Sequence, residues 1–259
     1  LIWTTTPWTL PANMGVCVGP DIRYIKAKVA EHPRPIIIAE SRIDGLYSDY
    51  TILDTYTGTD LVGRRYQPLF PFLKAEHPQT HTILSDQFVS LDDGTGLVHL
   101  APAFGEDDQR VMLKIELHDL FCPIDEKGLF DESMPDWLAG KYVFSANQDI
   151  INYLKEHERL IEWKTIDHAY PHCPRSDTKL IYRAVPSWYV KVTSLKDGLL
   201  KNLEQTSWMP PHVKDKRFAN WLENARDWAI SRNRYWGNPI PLWVNDETGQ
   251  IVCIKSKAE

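Results

Sequence analysis

The stretch Gly94-Thr95-Gly96-Leu97-Val98-His99-Leu100-Ala101-Pro102-Ala103-Phe104-Gly105-Glu106-Asp107-Asp108 limits the folds open to this chain more than any other. A Gly-Thr-Gly turn leads into a short apolar run in which His99 is the one ionisable side chain. Pro102 and Gly105 then break the backbone, and three carboxylates stand where a helix would start. An acidic first turn suits the helix dipole. Val111, Met112, Ile115 and Leu117 follow near one face, so the spacing predicts a helix over 106–118. The stretch therefore predicts a strand over 95–101 that delivers its residues to a loop at a helix N-terminus.

Around it the pattern is β. Residues 14–18, 24–29, 35–39 and 51–57 are predicted as strands, with 81–84 and 88–90 as shorter ones. Gly19-Pro20-Asp21 and His32-Pro33-Arg34-Pro35 supply turns. β-branched and aromatic residues at the start predict a further strand that Pro7 must end. A short helix is expected at 41–48 and a long functional or packed loop over 58–72. Many short strands with few helices favour an α+β fold, a β-barrel-like core with peripheral helices, over a doubly wound parallel sheet. Beyond a loop-rich 119–146, helices are expected at 146–158, 195–203 and 218–224, and strands at 160–169, 180–184 and 187–192. The change of character at 140–145 suggests three parts: a β-rich core over 1–145, a mixed remainder over 146–229, and a distinct segment over 230–259.

With 43% hydrophobic residues in 259, the chain has material for a substantial core. A formal charge of -6 argues against a general nucleic-acid coat and so against a DNA-binding surface, while leaving room for a local basic face. Such a face is suggested where Arg232 and Arg234 alternate with Tyr235 and Trp236, a composition suited to phosphate pairing and base stacking. An aromatic packing surface is the alternative there. Cys17, Cys122, Cys173 and Cys253 are far apart and form no Cys-x-x-Cys pair, which predicts reduced thiols in a cytoplasmic-type protein. His172-Cys173-Pro174-Arg175-Ser176 has Ser176 where a second cysteine would complete a metal pair, so no metal is expected. No apolar run approaches the roughly 18–20 residues needed to cross a bilayer, and no membrane partner is expected. Leu1-Ile2-Trp3-Thr4 opens inside a strand-like run, as a segment of a longer chain would.

Phosphate loops, dinucleotide glycine motifs, nucleophile elbows and metal-spaced His/Glu pairs are all missing. What remains is a hydroxyl-rich stretch (Thr4, Thr5, Thr6, Thr9), one histidine and one acidic helix start. Taken singly, each has a plain alternative. The threonines suit a solvated strand end, His99 a packed strand histidine, and Asp108 a carboxylate capping its own helix.

Together they resemble one family. Thr4-Thr5-Thr6-Pro7-Trp8-Thr9-Leu10-Pro11-Ala12-Asn13 resembles the threonine-rich stretch of the editing insertion in class I isoleucyl-tRNA synthetases. Residues 94–108 resemble that insertion's second signature, which ends in its editing aspartate, and residues 230–241 resemble the point where the insertion rejoins a Rossmann-type catalytic domain. Leucyl and valyl relatives typically read Thr-Thr-Arg-Pro at the first motif, so Thr6-Pro7-Trp8 points to the isoleucyl member. The ATP-handling His-Ile-Gly-His and Lys-Met-Ser-Lys-Ser motifs are missing. The resemblance thus implies that ATP and magnesium serve the parent enzyme only, and that editing needs no cofactor. Ser176 in place of the zinc pair's cysteine suggests a eukaryotic, cytoplasmic type.

The implied reaction is hydrolysis of the ester in valyl-tRNA for isoleucine. The implied partners are that tRNA's 3′ end and the rest of the synthetase chain. One methylene in an apolar pocket discriminates by only about 1–3 kcal/mol, a limit for which this family is itself the standard illustration. By resemblance Asp108 holds the substrate's α-ammonium, with Thr5 and Thr6 placed at the catalytic centre. Thr4, Trp8, Thr9, Asn13 and Gly96 contact the substrate, and His99 walls out the larger side chain. A non-catalytic insertion that only positions the tRNA end is the competing expectation, and a small-molecule regulatory domain a third.

Overall fold

The computed structural model describes residues 1–73, 78–167, 169–232, 237 and 239–258. The described residues divide into two compact units, Leu1–Ala184 and Val185–Glu259. The compositional change at 140–145 falls inside the first.

The first unit is built on two three-stranded sheets. One has the order β5-β1-β6, from Thr82–Ser85, Gly15–Val18 and Leu97–Leu100; β1 runs parallel to β5 and antiparallel to β6. The other has the order β3-β2-β4, from Ile36–Ala39, Arg23–Val29 and Tyr50–Thr57, all antiparallel. The expected mixed fold of short strands and peripheral helices is present, but neither sheet closes. Three strands of four to eight residues are too few to curl into the barrel anticipated from their spacing.

Period-2 alternation decides what each sheet face carries. From β6, Val98 and Leu100 pack with Cys17, Val111 and Met112, the last two on α3 (Glu106–Leu113), which follows the short helices α1 (Glu40–Ile43) and α2 (Gly58–Leu61). Leu97, pointing the other way, joins Val16, Val18, Tyr24 and Ala39, a cluster drawn from both sheets. His99 sits opposite Val16 in the register and shares Leu97's side of the pleat. A third cluster gathers Trp8, Leu10, Phe70, Phe130 and Leu138 against Ile150 and Leu154 of a helix over Asn147–Glu156. That helix lies where the spacing placed it.

Other expectations need correction. Residues 1–6 form no strand; instead Pro7–Ala12 is a 3-10 helix with proline at its start, where the fixed φ and missing N–H suit the first turn. Residues 88–90, 160–169 and 180–184 form no strand among the described residues, and 187–192 keeps only Tyr189–Val190. Inside the expected 58–72 loop, Gly58–Leu61 is helical, started by a reciprocal capping box between Thr57 and Asp60.

The second unit holds two small two-stranded ladders, Tyr189–Val190 with Trp228–Ala229 and Leu242–Val244 with Ile251–Cys253. It also holds helices over Lys196–Glu204 and Ala219–Glu223. Its buried hydrophobics among the described residues are Leu203 and Leu222.

Candidate functional site

A cleft of about 490 Å³ in the first unit is lined by Thr4, Thr5 and Thr6, by the turn containing Gly94 and Gly96, and by His99. The turn is rigid for identifiable reasons. Gly96 has φ +76°, and a Cβ there would lie 2.6 Å from the Ala39 methyl, so neither the backbone nor the space admits another residue. The Tyr24 hydroxyl donates to the Gly96 carbonyl at 2.6 Å. Arg42 donates to the Gly94 carbonyl at 2.9 Å and to that of Leu91 at 3.1 Å.

The threonines are tied to one another. Thr6 N–H donates to Thr4 Oγ1 at 3.0 Å, the Thr4 and Thr6 hydroxyls lie 3.2 Å apart, and Thr6 and Thr9 hydroxyls 3.3 Å apart. Thr4 and Thr6 are half-buried and Thr5 exposed, whereas Thr9 and Asn13 are buried behind them. Those two hold the imidazole: Thr9 Oγ1 lies 2.9 Å from His99 Nε2, and Asn13 Nδ2 lies 3.5 Å from Nδ1. His99 is 8% exposed, and burial lowers its pKa to about 4. The ring is therefore neutral at pH 7. With both nitrogens turned to Thr9 and Asn13, the surface it gives the cleft is carbon, which suits a steric wall rather than an acid or base.

Asp108 stands elsewhere. It is the third residue of α3, half-buried, and its Oδ2 accepts the Ala101 N–H at 2.8 Å, joining the end of β6 to the helix start. Gly105 makes room for it, since a Cβ there would lie 2.8 Å from the Asp108 carboxyl. Burial, then the neighbouring Asp107, push its pKa up against the opposing Ala101 bond. None of the ion pairs among the described residues includes Asp108. It is not among the residues lining the cleft. Trp8 is not either. It is 3% exposed in the third core cluster, edge-on to Phe104 at 5.2 Å, with no partner for its indole N–H among the described residues.

Sequence reasoning missed Tyr66, whose hydroxyl donates to Asn13 Oδ1 at 2.5 Å. The available signal was the capping box at Thr57, which shortens the supposed loop and fixes where its later residues return. Of the stretch read as suited either to RNA contact or to an aromatic packing surface, Arg232 is exposed, and Arg234, Tyr235 and Trp236 lie outside the described residues. The second unit contains a larger apolar cavity of about 850 Å³ beside Trp208, Phe218, Trp221 and Trp228. Its carboxylate, Asp227, already accepts both the Thr193 N–H and the Thr193 hydroxyl. Size alone does not make it the functional site, because few polar groups converge there.

A model of the class I tRNA synthetases (I, L, M and V) matches residues 39–259. The cytoplasmic isoleucine–tRNA ligase of Mus musculus is 48% identical over 99% of this chain, which covers 21% of that protein. The isoleucine–tRNA ligase of Bdellovibrio bacteriovorus is 46% identical over 100% of this chain and 25% of its own length. The chain thus spans about a quarter of the length of the curated relatives it matches. Among solved structures, the P. knowlesi cytosolic leucyl-tRNA synthetase editing domain aligns with a TM-score of 0.46 at 14% identity, over 60% of this chain and 81% of that one.

Proposed function

The chain belongs to the class I tRNA synthetases, and from that premise we propose that it proofreads, hydrolysing the ester of valine mischarged on the tRNA for isoleucine. The observation that carries this reading is the cleft itself. It gathers the threonine hydroxyls and a neutral, carbon-faced His99 from segments about ninety residues apart. Valine's side chain fits against the ring, and isoleucine's extra methylene meets it.

The ester is already activated, so positioned water suffices. The water oxygen bonds to the carbonyl carbon, the bond to the ribose oxygen breaks, and the tRNA hydroxyl regains a proton as valine leaves. Thr4, Thr5 and Thr6 offer donors and acceptors for the carbonyl and the water. A neutral His99 does not repel the α-ammonium. Asp108, outside the cleft lining but bonded to Ala101 just past the strand that carries His99, is the proposed partner of that ammonium. A half-buried carboxylate whose pKa is raised, and which has no ion pair among the described residues, gains from a cationic guest. The tRNA end and the remainder of a synthetase are the proposed partners, the cytoplasm the proposed location, and water the one co-reactant. No described helix is long and apolar enough to cross a membrane.

The test is deacylation of valyl-tRNA for isoleucine by the chain and by Asp108→Ala, with folding checked by circular dichroism. Loss of hydrolysis with the fold intact is expected. Near-normal hydrolysis overturns the role of Asp108. In parallel, His99→Ala is expected to begin hydrolysing isoleucyl-tRNA, and an unchanged valine-to-isoleucine ratio overturns the wall. A wild-type chain that binds the charged end and leaves the ester intact is the non-catalytic insertion instead.

A further inference from the structure

Asn13 carries an amide that the surrounding backbone orients without ambiguity. One side of it lies 2.8 Å from the Gly15 carbonyl, which can only accept, so the nitrogen must be on that side. The amide oxygen therefore faces Tyr66, and Tyr66 must donate. The second amide hydrogen then points to His99 Nδ1 and the Leu100 carbonyl, each 3.5 Å away. The Thr9 hydroxyl has one hydrogen and donates it to the Thr6 carbonyl at 2.9 Å, so its oxygen accepts from Nε2, which carries the ring's proton and leaves Nδ1 to face the amide. Nε2–H donates to Thr9 Oγ1 at 2.9 Å.

We infer that Asn13 and Tyr66 are positioning residues, which fix His99 in its Nε2–H tautomer and hold its ring at one orientation against the cleft. The functional arm of this inference rests on the editing reading; the tautomer does not. It also moves Asn13 away from direct substrate contact. Its amide is buried and engaged on both sides, and it acts through the imidazole. Tyr66 comes from the 58–72 segment and is fixed there by its N–H to the His81 carbonyl at 3.1 Å and by an edge-on His81 ring 5.8 Å away. The titratable groups packed around Asn13 are thus Tyr66 and His81. Burial holds the Tyr66 hydroxyl well above its ordinary range. It lowers the His81 imidazole, against the Asn13 backbone bond and together with Arg65. Neither puts a charge beside His99 at pH 7, so the tautomer is set by hydrogen-bond direction.

The experiment is nitrogen-15 NMR of the imidazoles in the 259-residue chain, with His99 assigned by its loss in His99→Gln. The wild type should show a neutral Nε2–H ring throughout pH 5.5–7.5. A neutral Nδ1–H ring, or a mixture of the two, overturns the inference without any variant. Asn13→Asp replaces the donor by an acceptor of the same shape. It should bring a proton to Nδ1 and raise the His99 titration midpoint by more than one pH unit, and an unchanged spectrum and midpoint overturn the inference. Tyr66→Phe removes the donor to the amide oxygen and should lower the ratio of valyl- to isoleucyl-tRNA hydrolysis at least threefold, mainly by admitting isoleucine. An unchanged ratio removes Tyr66 from the positioning pair. If wild-type NMR is as expected while valyl-tRNA is not hydrolysed, the tautomer stands and the editing reading falls.

Discussion

In the first unit Trp8 and Tyr24 are 3% and 0% exposed, whereas Trp221 and Trp243 in the second are 63% and 68% exposed. Both units show rings at the surface, Tyr182 of the first at 76% exposed, but among the described residues only the first also buries any. The first has four apolar clusters, three of them bordering a sheet, and so holds itself together by its own packing. Short two-stranded ladders such as those of the second are marginal alone. Contiguous exposed apolar surface is in general a contact surface. The functional consequence follows from the same contrast. A histidine can be kept dry and neutral where a dense core surrounds it, and His99 sits on a strand whose opposite side is packed by α3.

This contrast breaks most readily at Leu100, which is 0% exposed between Cys17 and Met112. Leu100→Ala is expected to destabilise the first unit by about 2–5 kcal/mol. Trp221→Ala should change the second by about 0.5 kcal/mol, the usual scale for exposed positions. Urea unfolding followed by hydrogen exchange in each unit measures both, and equal effects would show that exposure does not separate the units.

A second lever is pH. His99 has a folded pKa near 4 against an ordinary 6.5. The unfolded chain therefore binds more protons between those values, and stability falls as pH drops from 6.5 to 4. The loss is roughly 3 kcal/mol, at about 1.4 kcal/mol per pH unit. His81, also lowered, adds in the same direction. His99→Gln should flatten the pH dependence of unfolding in the first unit and leave the second unaltered. A slope unchanged by the substitution would mean that His99 is not buried neutral.

The smallest effect compares two carboxylates. Asp86 is 5% exposed at its side chain and accepts both Arg110 Nη1 at 2.8 Å and Nη2 at 2.9 Å, with Lys114 beside it. Those bonds, Arg110 first, hold its pKa far below the usual carboxylate range, so its stabilisation is complete above about pH 4 and is lost on further acidification. Asp86→Asn should cost about 2 kcal/mol at pH 7. Asp227, lowered by its Thr193 bonds but open to solvent, should matter much less. Matching losses in the two variants would remove the distinction.

Much of the first unit could be read from local pattern. The strand at Leu97–Leu100, the acidic start of α3 and the helix over Asn147–Glu156 are set by period and by turn residues, and they lie where those signals put them. The threonine stretch misled because β-branched residues favour strands, while Pro7 and the Thr9 side-chain bond to the Thr6 carbonyl favour a tight helical turn. α3 stops at Leu113, short of 118, because Glu116 takes φ +59°. The site was legible as a set of residue types but not as a geometry. That Thr9 and Asn13 support His99 from behind, with Asp108 bound to Ala101, depends on which strand pairs with which. For Tyr66 the one local signal was the Thr57 capping box, and its role still rests on a single hydroxyl placed by tertiary packing.

The pairing of Gly15 with Leu100 and Val16 with His99 makes the position of the ring a matter of counting. Sliding β6 by one residue would exchange the faces of Val98 and His99 and turn the imidazole toward Met112. Deleting Leu97 or Val98 would therefore displace the imidazole from the cleft while leaving His99 itself in the chain. The turn at Asp92 and Asp93, pinned by Arg42 at Leu91, Asp92 and Gly94, shares that constraint, and length variation is forbidden from there through His99.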